Sequence, residues 1–323
     1  MNRSATLLLL GLLAACGRTQ PLRYVGEDGS PIFAPPDGTR DCPRDVQTFT
    51  LPAVPNPAVD VLLVVDDSGS MGDDQEVLAS NFGAFISRFR SENVDFHLGV
   101  VTTDMEAPNR SGRLVAPFLT PVTPNLEQAF RSMVLLGSNG SSDERGLDAA
   151  HGALSDPLAS GPNQGFLRPK TDLAVVVLTD ETDHSRISPA QFSAFLGSLE
   201  APPESTSFVA ILGLTWYFLC ERMTASWGYA EVARSLGPNG MVVACTSDYA
   251  SRMTEMGGRI VNARCVVDLQ HPVDRGPPQV RLNGSPVSYV LWPPDGAHPN
   301  GTLEIDPCPR NGGEVEVIEP NCP

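Results

Sequence analysis

Val59-Asp60-Val61-Leu62-Leu63-Val64-Val65-Asp66-Asp67-Ser68-Gly69-Ser70-Met71-Gly72 is the stretch whose reading decides the fold. It starts as an almost unbroken apolar run, as expected of a strand buried on both faces in a parallel sheet. It then switches to short oxygen-bearing side chains. Asp66, Ser68 and Ser70 stand at alternate positions, so a loop at the strand's end can aim all three oxygens at one spot. Asp74-Gln75-Glu76-Val77-Leu78 opens an amphipathic helix whose first turn is acidic, as the helix dipole favours. A strand, an oxygen-rich loop and a helix in succession is how an α/β sheet builds a site at the carboxyl ends of its strands.

Outward from that stretch, strand and helix alternate from Val59 to about Cys265. Val77, Leu78, Phe82, Phe85, Ile86 and Phe89 recur at helical spacing over 75–91 and read as core. Phe96 to Thr103 reads as a strand, followed by Asp104. A hairpin-like piece is expected from Gly112 to Val122, then helices near Leu126–Leu135 and Gly146–Leu154 around the polar loop Gly137–Glu144. Asp172 to Thr179 is the most apolar strand and runs into Asp180-Glu181-Thr182-Asp183. Helix Pro189–Leu199, strand Ser207–Leu214, helix Tyr229–Leu236, strand Met241–Ala244 and helix Tyr249–Val261 complete the pattern. The expected fold class is α/β: a doubly wound, mostly parallel, Rossmann-like sheet over 59–265. Residues 266–323 change character. Val280–Val287 looks like two strands about the Asn283-Gly284 turn, with further short strands at Leu303–Ile305 and Glu314–Ile318, giving a small C-terminal β appendage.

The spacing Asp66-x-Ser68-x-Ser70 after such a strand resembles the von Willebrand factor A (vWA) family, which includes the integrin inserted domains. The resemblance covers roughly two-thirds of the chain and implies a metal-ion-dependent adhesion site. Asp66, Ser68 and Ser70 are then direct ligands of a divalent cation, Asp180 binds directly or through water, and a carboxylate on a protein partner completes the shell. The family usually supplies a Thr just before the helix that starts here near Gly146. This chain offers Ser142 or Asp143 in its place. Asp104, Glu144 and Asp183 crowd the same end of the sheet as outer-shell groups or as ligands of a second cation. Carboxylates and hydroxyls without thiolate or imidazole suit Mg²⁺, Mn²⁺ or Ca²⁺. An EF-hand loop would need Gly at Met71 and Glu at Val77. A nucleophile elbow would need Gly where Ser68 stands. There is no His-Glu-x-x-His, Walker loop or Gly-x-Gly-x-x-Gly fingerprint. The expected protein is therefore a binding protein rather than an enzyme. Two alternatives stand beside adhesion: an envelope scaffold whose cation only stabilises the loops, and an α/β-hydrolase-like enzyme using Ser70, an Asp near Asp180, and His271 or His298. His184 beside Asp183 and His97 within a strand read as incidental and structural.

Residues 1–16 carry Arg3, an apolar run from about Ala5 to Leu13, and Leu13-Ala14-Ala15-Cys16. The run is too short to span a bilayer as a mature helix and reads as a signal peptide. Leu-Ala-Ala-Cys is similar to the bacterial lipobox, which implies lipidation of Cys16. The expected location is the cell envelope, lipid-anchored, at the outer membrane in a Gram-negative source because no Asp follows Cys16. Residues 17–58 are proline-rich and read as a stalk. Once Cys16 is set aside, Cys42, Cys220, Cys245, Cys265, Cys308 and Cys322 remain, which fits three disulfides without fixing their connectivity. Cys220 and Cys245 follow consecutive parallel strands and so form one candidate pair. Cys308 and Cys322 bracket the last strand and form another. The vWA resemblance implies Cys42 with Cys265. With a net charge of −16 and Lys170 as the sole lysine, nucleic acid is not an expected partner.

Overall fold

The computed structural model describes residues 22–23, 44–53, 57–199, 206–212, 228–236, 240–244, 248–262, 265–273, 276–294, 298–305, 309 and 311–320. At its centre is a five-stranded parallel sheet. Its strands are β3 (Ala58–Val65), β4 (Asp95–Thr102), β5 (Asp172–Thr179), β6 (Thr206–Leu212) and β7 (Gly240–Ala244), in the order β4-β3-β5-β6-β7. β3 and β5 are therefore interior strands, buried on both faces, which is why their sequences are continuous rather than alternating.

The two faces of β3 are covered by different helices. Val59, Val61, Leu63 and Val65 pack with side chains of α1 (Gly72–Ser80), α2 (Phe82–Ser91), α3 (Leu126–Val134) and α7 (Tyr249–Asn262). Leu62 and Val64 face α4 (Gly146–Ala153), α5 (Pro189–Ser198) and α6 (Gly228–Ser235). This is the doubly wound α/β arrangement expected from the sequence. The helix expected over 75–91 is two helices. Asn81 breaks it: its side-chain amide donates to the Val77 carbonyl at 2.8 Å, competing with the helix ladder, and its backbone leaves helical geometry at φ −101°, ψ 8°. α2 and α7 touch backbone to side-chain-free backbone at Gly257, where a Cβ would come within 2.3 Å of the Phe85 carbonyl oxygen. The hairpin expected over Gly112–Val122 is instead a single segment laid antiparallel along the free edge of β4, through Val115 to Val100 and the Leu98–Leu119 bridge. It covers an edge that would otherwise present unpaired backbone.

The remaining strands form two four-stranded antiparallel sheets, β1-β11-β12-β8 and β10-β9-β13-β2. Their ranges are β1 (Leu22–Arg23), β2 (Arg44–Leu51), β8 (Val266–Asp268), β9 (Gln279–Leu282), β10 (Ser285–Pro286), β11 (Tyr289–Trp292), β12 (Thr302–Ile305) and β13 (Gly313–Pro320). Leu51, Val267, Val280, Leu291, Leu303, Ile305, Val315 and Val317 make one shared core between them. The Asn283-Gly284 turn joins β9 to β10 with both residues at positive φ, 50° and 78°, as a tight hairpin requires.

Here the stalk reading is corrected. Residues 44–51, inside the proline-rich stretch, pair along their whole length with β13 and bury Gln47 and Leu51. Pro43 and Pro52 bracket a proline-free run with period-two alternation, and that run is a strand. The strands of the C-terminal unit thus come from both sides of the α/β unit.

Cys265 is buried in this second core and is disulfide-bonded. Cys16, Cys42, Cys220, Cys245, Cys308 and Cys322 lie outside the described residues, as does the whole expected signal peptide. Among the described residues no helix is long and apolar enough to cross a membrane.

Candidate metal centre at the carboxyl ends of the strands

β3 delivers Asp66 to the end of the sheet and β5 holds it there. The Asp66 amide donates to the Leu178 carbonyl at 2.9 Å, continuing the β3–β5 ladder by one residue. Its carboxylate is fully buried. Oδ1 accepts the Ser68 amide at 2.8 Å and Oδ2 accepts the Thr179 hydroxyl at 2.6 Å. These bonds fix the carboxylate's direction and leave each oxygen a further lone pair.

A second clamp fixes the loop's backbone. Gln75, in the first turns of α1 and 1 % exposed, donates through Nε2 to the Asp66 carbonyl (2.9 Å) and to the Gly137 carbonyl (2.9 Å). Its Oε1 accepts the Gly137 amide at 3.2 Å. One buried amide therefore ties the first loop to the polar loop that follows α3. The same loops meet again at Gly140, whose amide donates to the Asp67 carbonyl at 2.8 Å. A Cβ there would lie 2.4 Å from Asp67 Oδ1.

The acidic groups around Asp66 bear the electrostatic signature of crowding. Burial pushes the Glu144 carboxyl up to about 8, with Asp66, Glu181 and Asp67 adding to the shift and a hydroxyl hydrogen bond from Thr103 opposing it. Burial also raises Asp180 to about 6; Ser70 hydrogen-bonds its carboxylate and opposes the rise, while Asp66, Asp74 and Glu181 reinforce it. Asp67 rises to about 6 for the same first reason, held back by the Arg110 guanidinium that pairs with its Oδ2. Asp66 is thus the common neighbour of carboxyls from three separate loops.

Several oxygens in this cluster are buried without a hydrogen-bond donor: Asp67 Oδ1, Ser68 Oγ, Glu144 Oε1 and Asp180 Oδ1. Buried polar atoms are nearly always partnered, and acceptors grouped in this way call for water or a cation. All are hard oxygen donors, so the residues present fit a hard divalent ion. The set mixes hydroxyls with carboxylates. Among the described residues no three His, Cys, Asp or Glu side chains stand close enough to form a metal cage by themselves.

The sequence-expected residues divide as follows. Asp66, Ser68, Ser70 and Asp180 are brought together, with Ser68 buried and Ser70 on the exposed rim. Ser142 is exposed. Asp143 is half-exposed and pairs with His184 Nδ1 at 3.1 Å. Glu144, expected in the outer shell, is the residue of this loop that is fully buried beside Asp66. Asp104 accepts the Glu106 and Ala107 amides and lies 3.8 Å from Arg110, shaping its own turn. Asp183 is occupied at the start of α4: its Oδ1 accepts the Ser185 hydroxyl (2.7 Å) and the Leu147 amide (3.4 Å), and its carboxyl hydrogen-bonds Tyr229. The hydrolase constellation is not assembled. His271 hydrogen-bonds Gln47, and His298 Nδ1 pairs with Asp268 at 2.6 Å, both within the β strands' unit, whereas Ser70 hydrogen-bonds Asp180. Gln75, Thr179 and Arg110 escaped the sequence reading. A polar residue on the buried side of an amphipathic helix, and a Thr one position before Asp180, were the signals for the first two.

No protein-family model matches the chain, and no curated protein matches it. Among solved structures it is similar to proximal thread matrix protein 1 of the mussel byssus, at 14% identity and TM-score 0.38, over 67% of this chain and 48% of that one. It is also similar to the pilus adhesin SpaC of Lactobacillus rhamnosus GG in its open conformation, at 10% identity and TM-score 0.42, over 92% of this chain and 43% of that one. The chain spans about half the length of those proteins or less.

Proposed function

We propose that this chain is an exported vWA-type binding protein, anchored through Cys16, that engages a protein partner through a divalent cation. Asp66, Ser68 and Ser70 would hold the ion from the first loop and Asp180 from the β5 loop. The ion supplies an electrophilic position that a partner's acidic side chain can enter. The chain's own groups do the rest: Thr179 and the Ser68 amide aim Asp66, and Gln75 holds the loops in register.

The single observation that carries this reading is the set of donorless buried oxygens on Asp67, Ser68, Glu144 and Asp180, gathered around Asp66. An acceptor-rich cluster of this kind is costly to bury without a counter-charge. The test is Asp66→Ala in the full chain. Loss of cation-dependent partner binding with an unchanged melting temperature supports adhesion. Retained cation-dependent binding by that variant would overturn it. A second reading, in which the ion serves only to hold the loops, is favoured by Glu144, whose buried, donorless Oε1 offers an ion one more ligand from within the chain. It predicts that Asp66→Ala lowers the melting temperature in Ca²⁺ but not in chelator.

A further inference from the structure

We infer that Glu144 supplies the middle-loop ligand of the ion, in place of Ser142 or Asp143, and that this third carboxylate tunes the site to Ca²⁺ over Mg²⁺. The inference rests on the cation-binding reading above and names a residue within it.

The three candidates of this loop have different surroundings. Ser142 is exposed. Asp143 points to the rim, where its carboxylate meets His184 with both groups about half exposed. Glu144 is 0 % exposed; its Oε2 accepts the Thr103 hydroxyl, while Oε1 is buried with no donor. The backbone links it to the first loop: the Arg145 amide donates to the Thr103 carbonyl at 3.2 Å, and the Thr103 amide donates at 3.3 Å to the carbonyl of Val65, the residue before Asp66. The Glu144 backbone is held on both sides, by the Asp104–Glu144 bridge at the end of β4 and by the His184 amide, which donates to the Glu144 carbonyl at 2.7 Å. Asp66 and Glu144 are thus both held by their backbones at strand ends, and because their carboxylates and that of Asp180 do not already stand as a three-ligand cage, an ion would have to draw these side chains together. Ser68 Oγ, also buried without a partner, belongs to the same set.

Metal preference follows from the donor count and charge. Mg²⁺ demands a stiff octahedron and dehydrates reluctantly, whereas Ca²⁺ accepts about six to eight oxygens in adaptable geometry. Three carboxylates and two hydroxyls from the chain leave Ca²⁺ a position for a partner oxygen.

The experiment is calorimetric titration of the full chain with Ca²⁺ and with Mg²⁺, in the wild type and in Glu144→Gln, Glu144→Asp, Asp143→Asn and Ser142→Ala, with melting temperatures in chelator alongside. Glu144→Gln should weaken Ca²⁺ by about tenfold or more, a loss of the size seen when groups at metal sites are altered, and narrow the Ca²⁺/Mg²⁺ ratio. Its melting temperature in chelator should not fall. Glu144→Asp, which keeps the charge and loses reach, should also weaken Ca²⁺ and serves if the Gln variant fails to fold. Asp143→Asn and Ser142→Ala should bind as the wild type does. A wild type that takes up Ca²⁺ while both Glu144 variants bind equally well overturns this inference and leaves the cation reading intact. A wild type that takes up neither ion overturns both.

Discussion

Gln75 shows how much of a site can depend on one side chain that touches no ligand. Its amide satisfies the Asp66 and Gly137 carbonyls and the Gly137 amide from within the first helix of the α/β unit. Gln75→Ala leaves the buried Asp66 carbonyl unpaired, which should cost about 1–3 kcal/mol. The same change should weaken cation uptake, because the Asp66 loop loses its register with the 137–140 loop. Chemical denaturation and metal titration on the one variant check both. The pH dependence has a definite sign. The folded Glu144 carboxyl keeps its proton to about 8, whereas the unfolded one releases it near 4.5. Between those values the native chain binds more protons, so stability in chelator should fall as pH rises and level off above about 8. Asp67 and Asp180, each raised to about 6, add to the fall in its lower half. Added Ca²⁺ should flatten the profile, since a cation then balances the carboxylates. A melting temperature in chelator that climbs across this window would contradict the account. At this scale the gathering of Asp66, Ser68, Ser70 and Asp180 at one end of the sheet was legible in the sequence, from the Asp-x-Ser-x-Ser spacing after a strand and from the vWA resemblance. The burial of Glu144 was not, because sequence spacing does not reveal which of four consecutive polar residues in a loop turns inward.

At the scale of elements, the loops succeed by close approach. Gly140 lies against Asp67 so tightly that a methyl group has no space. Gly140→Ala should therefore push the polar loop off the first loop, lowering stability by about 1–3 kcal/mol as overpacking does. Thermal denaturation in chelator and in Ca²⁺ measures it; the loss should be larger in Ca²⁺, where the ion's contribution is also forfeited. The strands and helices themselves were readable. The continuous apolar runs of β3 and β5 mark interior parallel strands, and β5 runs from Asp172 to Thr179 as the sequence indicates. The misreadings have local causes. Asn81 stops a helix whose apolar periodicity continues through it, because a side-chain amide competes for the Val77 carbonyl. The segment after Gly112 carries strand-like composition but spends its hydrogen bonds on β4 rather than on itself.

At the scale of the molecule, the β unit is built from strands on both sides of the α/β unit. β2 follows residue 43 and pairs with β13 near the other end of the chain. Proline-rich flanks concealed it, since composition averages over a window longer than the strand. Removing residues 1–56 should unfold the sheet β10-β9-β13-β2 while leaving the parallel sheet folded, because Leu51 and Gln47 leave the first and no residue of the second is lost. Hydrogen exchange would show lost protection over 313–320 and retained protection over 58–65; equal protection in both would contradict it. The chain's net charge of −16 favours cation uptake at any acidic surface, so binding alone is a weak criterion and site-directed loss is the strong one.

The most direct measurement of the central claim is calorimetric titration of the full chain with Mg²⁺, Mn²⁺ and Ca²⁺, repeated on Asp66→Ala. The account predicts uptake at a single tight site that the variant loses. No uptake by the folded wild type, or uptake undiminished in Asp66→Ala, would contradict it.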